Sequence, residues 1–283
     1  MVAALTDDRT RDAALAATRS LRNAGLGVGA LVATMTVVGG TGALRVLAAG
    51  TALAYLVAAA LVSSIRLSHG PTAGLAGSRR AGLGSVGGLR RITVLAVANL
   101  PYALCFGVLE VVLPVLVTAH LHVSAAWSAG MFVGNTVLVV AAQVSVVGWL
   151  GRYSRRSVLA LSGVVLAVSY AGFWAAGTLG GPAGAAAVAA VVVAYTAGEI
   201  IYTGSGTALV AATAPPHLLG RALTRWQLST GVGQATAPAV LSALLVLGPA
   251  TLWSVLAAGT LVAAAAVHRW APADQRGSTL SAW

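Results

Sequence analysis

The sequence predicts an all-α fold: a polytopic bundle of about eight transmembrane helices. Three observations predict it. Hydrophobic residues make up 58% of the 283-residue chain, and mean hydropathy is +0.88. Charged residues make up only 8%, against about a quarter in a soluble globular domain. Eight stretches reach the roughly 20 apolar residues that a helix needs to cross a hydrocarbon core about 30 Å thick. The composition also excludes other classes. The 34 glycines have no three-residue period, which excludes collagen. The apolar content excludes disorder. The single cysteine, Cys105, excludes a disulfide framework and any cysteine-based zinc site.

Taken in order, the spans run near 24–44, 46–65, 92–119, 125–148, 157–178, 184–212, 226–247 and 250–268. The third and sixth are long, so they tilt or extend beyond the bilayer. Segment 1–22 places Asp7, Asp8, Arg9, Arg11 and Asp12 where a signal peptide needs its apolar core. No transit or lipidation signal is evident. Segment 66–91 is rich in Gly, Ser and Arg, with Pro71, and reads as a flexible cytoplasmic linker. The chain thus divides into a two-span unit (1–65), the linker (66–91), a six-helix unit (92–270) and a cytoplasmic tail (271–283).

Charge gives the orientation. The formal net charge is +11, and all 17 basic residues are arginine. A basic chain can indicate a nucleic-acid partner, but the positions of these arginines argue otherwise. If the spans alternate, sixteen fall on one side: Arg9, Arg11, Arg19 and Arg22; Arg66, Arg79, Arg80, Arg90 and Arg91; Arg152, Arg155 and Arg156; Arg221 and Arg225; Arg269 and Arg276. Only Arg45 falls on the other. The positive-inside rule then places both termini in the cytoplasm of a multi-pass plasma-membrane protein. The expected partner on this ground is the lipid bilayer, with no nucleic acid.

Polar residues within spans carry the chemical signal. The third span offers Asn99, Tyr102, Phe106 and Glu110 on one helical face. The sixth offers Tyr195, Glu199, Tyr202 and Gly206 on one face, flanked by Thr196 and Thr203. A carboxyl removed from water favours its neutral form and ionises when a cation or water arrives, so Glu110 and Glu199 are candidate proton or substrate groups. The alternative is a protonated Glu acting as interhelical glue. Asn99, Tyr102, Asn135, Tyr195, Tyr202 and Gln234 are candidate cavity-lining residues, with Gln227, Thr230 and Gln234 sharing a face that continues to Pro238. Gly25-x-x-x-Gly29 and Gly130-x-x-x-Gly134 match close-approach spacing. Trp149, Trp253 and Trp270 near span ends read as interface anchors.

Enzyme and cofactor signatures are absent. There is no His-Glu-x-x-His, and a chain without lysine has no Walker or Schiff-base lysine. His120 and His122 share a short outer turn without a third ligand nearby. Neither a metal nor a cofactor is expected, and the chain is not read as an enzyme.

Several segments together resemble the major facilitator superfamily of secondary transporters. Arg19 to Gly25, followed by Gly27 and Gly29, looks like the start of that family's fifth helix. Spans three to eight look like its helices seven to twelve. Asn135 to Val140, leading through Gln143, is similar to the eighth. The loop Gly148-Trp149-Leu150-Gly151-Arg152-Tyr153-Ser154-Arg155-Arg156 resembles the family's G-x-x-x-D-R/K-x-G-R/K-R/K motif, with Arg152 in place of Asp and Arg155 in place of Gly. Gly198-Glu199 and Pro215 to Arg221 look like the tenth helix and its turn in drug-efflux-like members, and Gln234 to Pro238 like part of the eleventh. The resemblance implies a transporter whose halves rock around a site near the midplane, with proton-coupled export of small molecules as its mode. On this reading residues 1–65 correspond to the end of an N-terminal half, and four helices and their coupling machinery are missing. Two other readings stand beside it. One is a truncated fragment without independent transport, or a short form acting as a homodimer or with a partner chain. The other, a membrane-embedded lipid enzyme, needs an interfacial catalytic cluster that the sequence does not display.

Overall fold

The computed structural model describes residues 40–64, 82–215 and 218–271, with Leu21, Gly25, Gly29 and Val32 as isolated helical positions. The chain forms two compact units; one is Arg22–Ser85 and the other contains Val86–Trp283. In the first, α1 is Gly40–Ser64. Most of the span expected at 24–44 lies outside the described residues. Its last residues belong to α1, which runs through Arg45 without a break because no proline interrupts the Ala- and Leu-rich run. Arg45 therefore sits within a helix and not in an outer turn.

α2 is Gly82–Ala103; from Val86 onward it belongs to the second unit, where it continues as a helical rod through Cys105–Gly107, Val108–Val112, Leu113–Val115 and Leu116–His120. Then come α3 (Ala126–Leu150), α4 (Arg155–Gly177), α5 (Gly181–Thr213), α6 (Leu219–Val246) and α7 (Pro249–Trp270). Among the described residues, six helices are long and apolar enough to cross a membrane: the α2 rod over Arg90–His120, and α3 to α7. α1 adds a shorter apolar stretch, Arg45–Leu61. No strand occurs among the described residues. The chain is therefore all-helical, with several helices compatible with multi-pass insertion.

Helix limits differ from the apolar runs at two places. α2 starts at Gly82, inside the stretch read as linker, so Arg90 and Arg91 are helical. α6 starts at Leu219, seven residues before its apolar run, because Arg221, Thr224 and Arg225 are polar but do not break a helix. Two sharp turns use one device. Gly180 and Gly181 (φ +68° and +53°) precede Pro182, and Gly248 (φ +103°) precedes Pro249. Glycine takes the left-handed backbone, and proline fits the first helical turn.

α4 packs along both α5 and α7, α3 lies against α5, and α6 touches the α2 rod, α5 and α7. The core is aromatic. Phe173 and Tyr170 of α4 lie 5.2 Å and 6.1 Å from the Trp253 ring, and Tyr195 of α5 joins them. Trp253 is thus a buried core residue, not an interface anchor, because its turn is short enough to keep it level with α4. Trp149 is exposed, as an anchor would be. Half of the apolar window of α4 and of α5 is buried, against 22% for α3 and α6, so α3 and α6 form the open faces of this unit.

Glycine placement departs from the pattern reading. Among the described residues, nothing lies within 4 Å of where a Cβ would stand at Gly130, Gly134, Gly25 or Gly29. Close approach occurs at isolated glycines instead: Gly233 against Ala103, Gly206 against the Trp226 ring, Gly204 against Val147. Gly134→Ala should therefore raise stability by about 0.5–1 kcal/mol through helix propensity alone. Unfolding in a detergent titration checks this, and a clear loss of stability would reveal a helix packed on that face.

Candidate functional site

A polar layer crosses the second unit. Asn99 of α2 is buried, and its amide serves three partners. Its Nδ2–H donates to Thr230 Oγ1 at 2.9 Å and to Ser229 Oγ at 3.3 Å, both on α6. Its Oδ1 accepts the Tyr202 hydroxyl of α5 at 2.7 Å. Ser229 in turn donates to the Ala96 carbonyl, and Thr230 to the Trp226 carbonyl at 3.1 Å. Beside this cluster, Asn135 of α3 donates from Nδ2 to Thr196 Oγ1 and to Glu199 Oε2 of α5, each at 2.9 Å. The Tyr202 ring, three residues after Glu199 on α5, packs on the aromatic rings of the α2 rod. It stacks on Tyr102 (centroids 5.2 Å apart, planes 17° apart) and meets Phe106 at 5.9 Å.

The layer sits at the middle of its helices. Glu199 lies two residues from the centre of α5, and Asn135 three from the centre of α3. At that depth a polar side chain has no water, so each must find a partner or line a cavity. Thr196 and Thr203 return their hydroxyls to carbonyls one turn back, Val192 and Glu199, and so add no unpaired donor.

The two carboxylates do not share a depth. Tyr202 meets Asn99, while the Tyr195 hydroxyl donates to the Cys105 carbonyl. α2 and α5 are therefore antiparallel, and Glu199 is level with Tyr102. Glu110 lies eight residues beyond that level, about 12 Å at 1.5 Å per residue. Glu199 is half-buried and held by Asn135, whereas Glu110 is exposed.

Glu110 sits on a feature the face analysis misses. Val108–Val112 and Leu116–His120 are π-helical turns. Pro114 lacks the N–H that would bond the Glu110 carbonyl, and its ring crowds that carbonyl, so the ladder widens there. The signal was Pro114 itself, in the middle of an apolar run.

The remaining candidates fall elsewhere. Tyr102 and Tyr195, expected to line a cavity, are fully buried. Tyr102 donates to the Leu159 carbonyl of α4 at 3.0 Å, so both tyrosines tie helices together through backbone acceptors. Gln234 and Gln227 are exposed on α6, and only Thr230 of that face reaches the network. Gly148 is exposed in the last turn of α3, which extends to Leu150. The Arg152 guanidinium lies 4.6 Å above the Trp149 ring and 5.3 Å from that of Tyr153. Arg155 donates to the Ala208 carbonyl at 3.2 Å and Arg156 to the Ala271 carbonyl at 3.4 Å. These two arginines tie the loop to the C-terminal ends of α5 and α7, where the helix dipole favours cations. Among the described residues no three of His, Cys, Asp and Glu gather as metal ligands.

Asn99→Leu should cost about 2 kcal/mol, the sum of three interhelical bonds at about 0.6 kcal/mol each. Tyr202→Phe removes one of them and should cost about a third as much. Detergent-titration unfolding compares the two, and equal costs would deny Asn99 its bridging role.

No family model, curated protein or solved structure matches the chain.

Proposed function

We propose that the chain is a secondary transporter of small molecules of the major facilitator type. The mid-depth polar layer is its site, and Glu199 is its proton- or cation-binding group. One observation carries this reading: a half-buried carboxyl near the centre of α5, held by Asn135 within an apolar bundle. Ionisable groups at that depth are costly and serve ion or substrate pathways. Asn99, Tyr202 and Thr230 extend the layer across α2, α5 and α6, as a cavity formed by several helices requires. The arginines at the start of α2, between α3 and α4 and in the first turn of α4, in the first turns of α6 and at the end of α7 share one end of the bundle. That end faces the cytoplasm by the positive-inside rule, in the plasma membrane.

The test is reconstitution of the purified chain into vesicles with a trapped pH dye and an imposed pH gradient, with ethidium as probe cation. The expected result is gradient-driven ethidium movement with matching proton flux. Vesicles with protein that move neither faster than empty vesicles overturn the proposal.

A further inference from the structure

A second site lies on the outside of the bundle, between α2 and α7. The groove there has a volume of about 420 Å³. Its lining is apolar apart from one end. Pro101 and Gly259 meet at the closed end, where a Cβ on Gly259 would lie 3.7 Å from the proline ring. Ala98, Ala263 and Ala266 keep the floor shallow, and Val97 and Val262, 60% and 70% exposed, form the rims. From Arg90 to Pro101 the groove follows eleven residues of α2, about 16 Å at 1.5 Å per residue. One leaflet of a hydrocarbon core about 30 Å thick has the same depth.

The open end is cationic. Arg90 lines it. Arg225 of α6 reaches the same end, where its Nη1–H donates to Thr93 Oγ1 at 3.0 Å. Arg269 follows Ala266 by three residues, on the same face of α7. Among the described residues the only carboxylates are Glu110 and Glu199, and neither lines the groove.

We propose that this groove binds an anionic phospholipid, one acyl chain lying along α2 and α7 and the phosphate resting on the Arg90, Arg225 and Arg269 end. The apolar length matches one leaflet and the charge matches the headgroup. Guanidinium is suited to phosphate because its planar fork donates two parallel hydrogen bonds. The ligand comes from the leaflet that the arginine-bearing helix ends face. Binding requires only that these helices cross a bilayer, so it stands or falls apart from transport.

Native mass spectrometry of the full chain released from detergent tests it, with palmitoyl-oleoyl phosphatidylglycerol and the phosphatidylcholine of identical chains as probes. Wild type should retain phosphatidylglycerol preferentially. Arg90→Gln with Arg269→Gln should weaken phosphatidylglycerol about tenfold to thirtyfold, two basic residues' worth of headgroup attraction, and leave phosphatidylcholine unchanged. Ala266→Leu, which fills the floor, should weaken both lipids, while Arg152→Gln should weaken neither. Monodisperse elution and helical circular dichroism establish folding, and the single arginine variants replace the double if it fails to fold. Equal retention of the two lipids by wild type overturns the proposal. So does a phosphatidylglycerol preference that survives loss of both arginines, or full competition by inorganic phosphate, which would mean a free-anion site. A dimer that Ala266→Leu disrupts while lipid retention stays constant would assign the groove to a second copy and also overturn it.

Discussion

Glu199→Gln is expected to reduce gradient-driven proton movement to the level of empty vesicles, while Glu110→Gln retains most of it. The contrast rests on where the two side chains sit. Glutamine keeps the shape of Glu199 and an amide oxygen for the Asn135 Nδ2–H donor, so the α3–α5 contact persists and stability should change by less than about 0.5 kcal/mol. Only the ionisable proton is lost. Among the described residues the only other carboxyl is Glu110, about 12 Å away along the helix axes, too far to take over proton binding at the depth of Glu199. Glu110 itself is exposed, and its backbone carbonyl, not its carboxyl, is what Pro114 displaces. Asn135→Leu supplies the complementary test. It leaves the carboxyl without its amide donor, which should alter proton movement without abolishing it, because the titrating group remains. Wild-type coupling in Glu199→Gln, or complete loss in Glu110→Gln, would sink the assignment of Glu199.

Much of this architecture is legible in the sequence because a bilayer imposes one coarse rule. Helices must be apolar for about 20 residues, and α3, α4, α5 and α7 each lie close to the run that predicts them. Facial spacing likewise groups Asn99 with Tyr102, and Glu199 with Tyr202 and Thr196. It does not say which neighbour each residue meets. Tyr102 and Tyr202 have the same spacing signature, yet one hydroxyl reaches a backbone carbonyl of α4 and the other the Asn99 amide. Gln234 shares a face with Thr230, yet α6 turns Thr230 toward α2 and leaves Gln234 exposed. Helix rotation about its own axis decides such cases, and it follows from packing against helices 57 to 131 residues away in the chain. Ser229 is missed for the same reason, since a serine in an apolar helix commonly bonds its own turn, while this one donates across to Ala96. The α2 rod is the case where a local signal existed: Pro114 forecasts a widened ladder, but only a face analysis that tolerates a π-turn keeps Glu110 off the Asn99 face.

Packing supplies the second large effect. Gly233→Ala should destabilise the protein by about 2 kcal/mol, the cost of overpacking a tight contact. A Cβ at Gly233 would lie only 2.4 Å from the Ala103 Cβ, with the Leu100 carbonyl at 3.5 Å behind it. Neither neighbour is a flexible side-chain end, so α6 must move off α2. That movement also stretches the Asn99 bonds to Ser229 and Thr230, one turn away, and joins the packing defect to the polar layer. Gly231, two residues earlier on the same helix, has nothing within 4 Å, and Gly231→Ala should instead stabilise by about 0.5–1 kcal/mol. The decisive experiment is a swap. Ala103→Gly in the Gly233→Ala background returns the missing space from the other side and should recover most of the lost stability, whereas each change alone is unfavourable. The two sites are then strongly non-additive, as residues in direct contact should be. Additive costs in detergent-titration unfolding would mean that the α2–α6 contact is not the tight one, and that Asn99 meets α6 by some other approach.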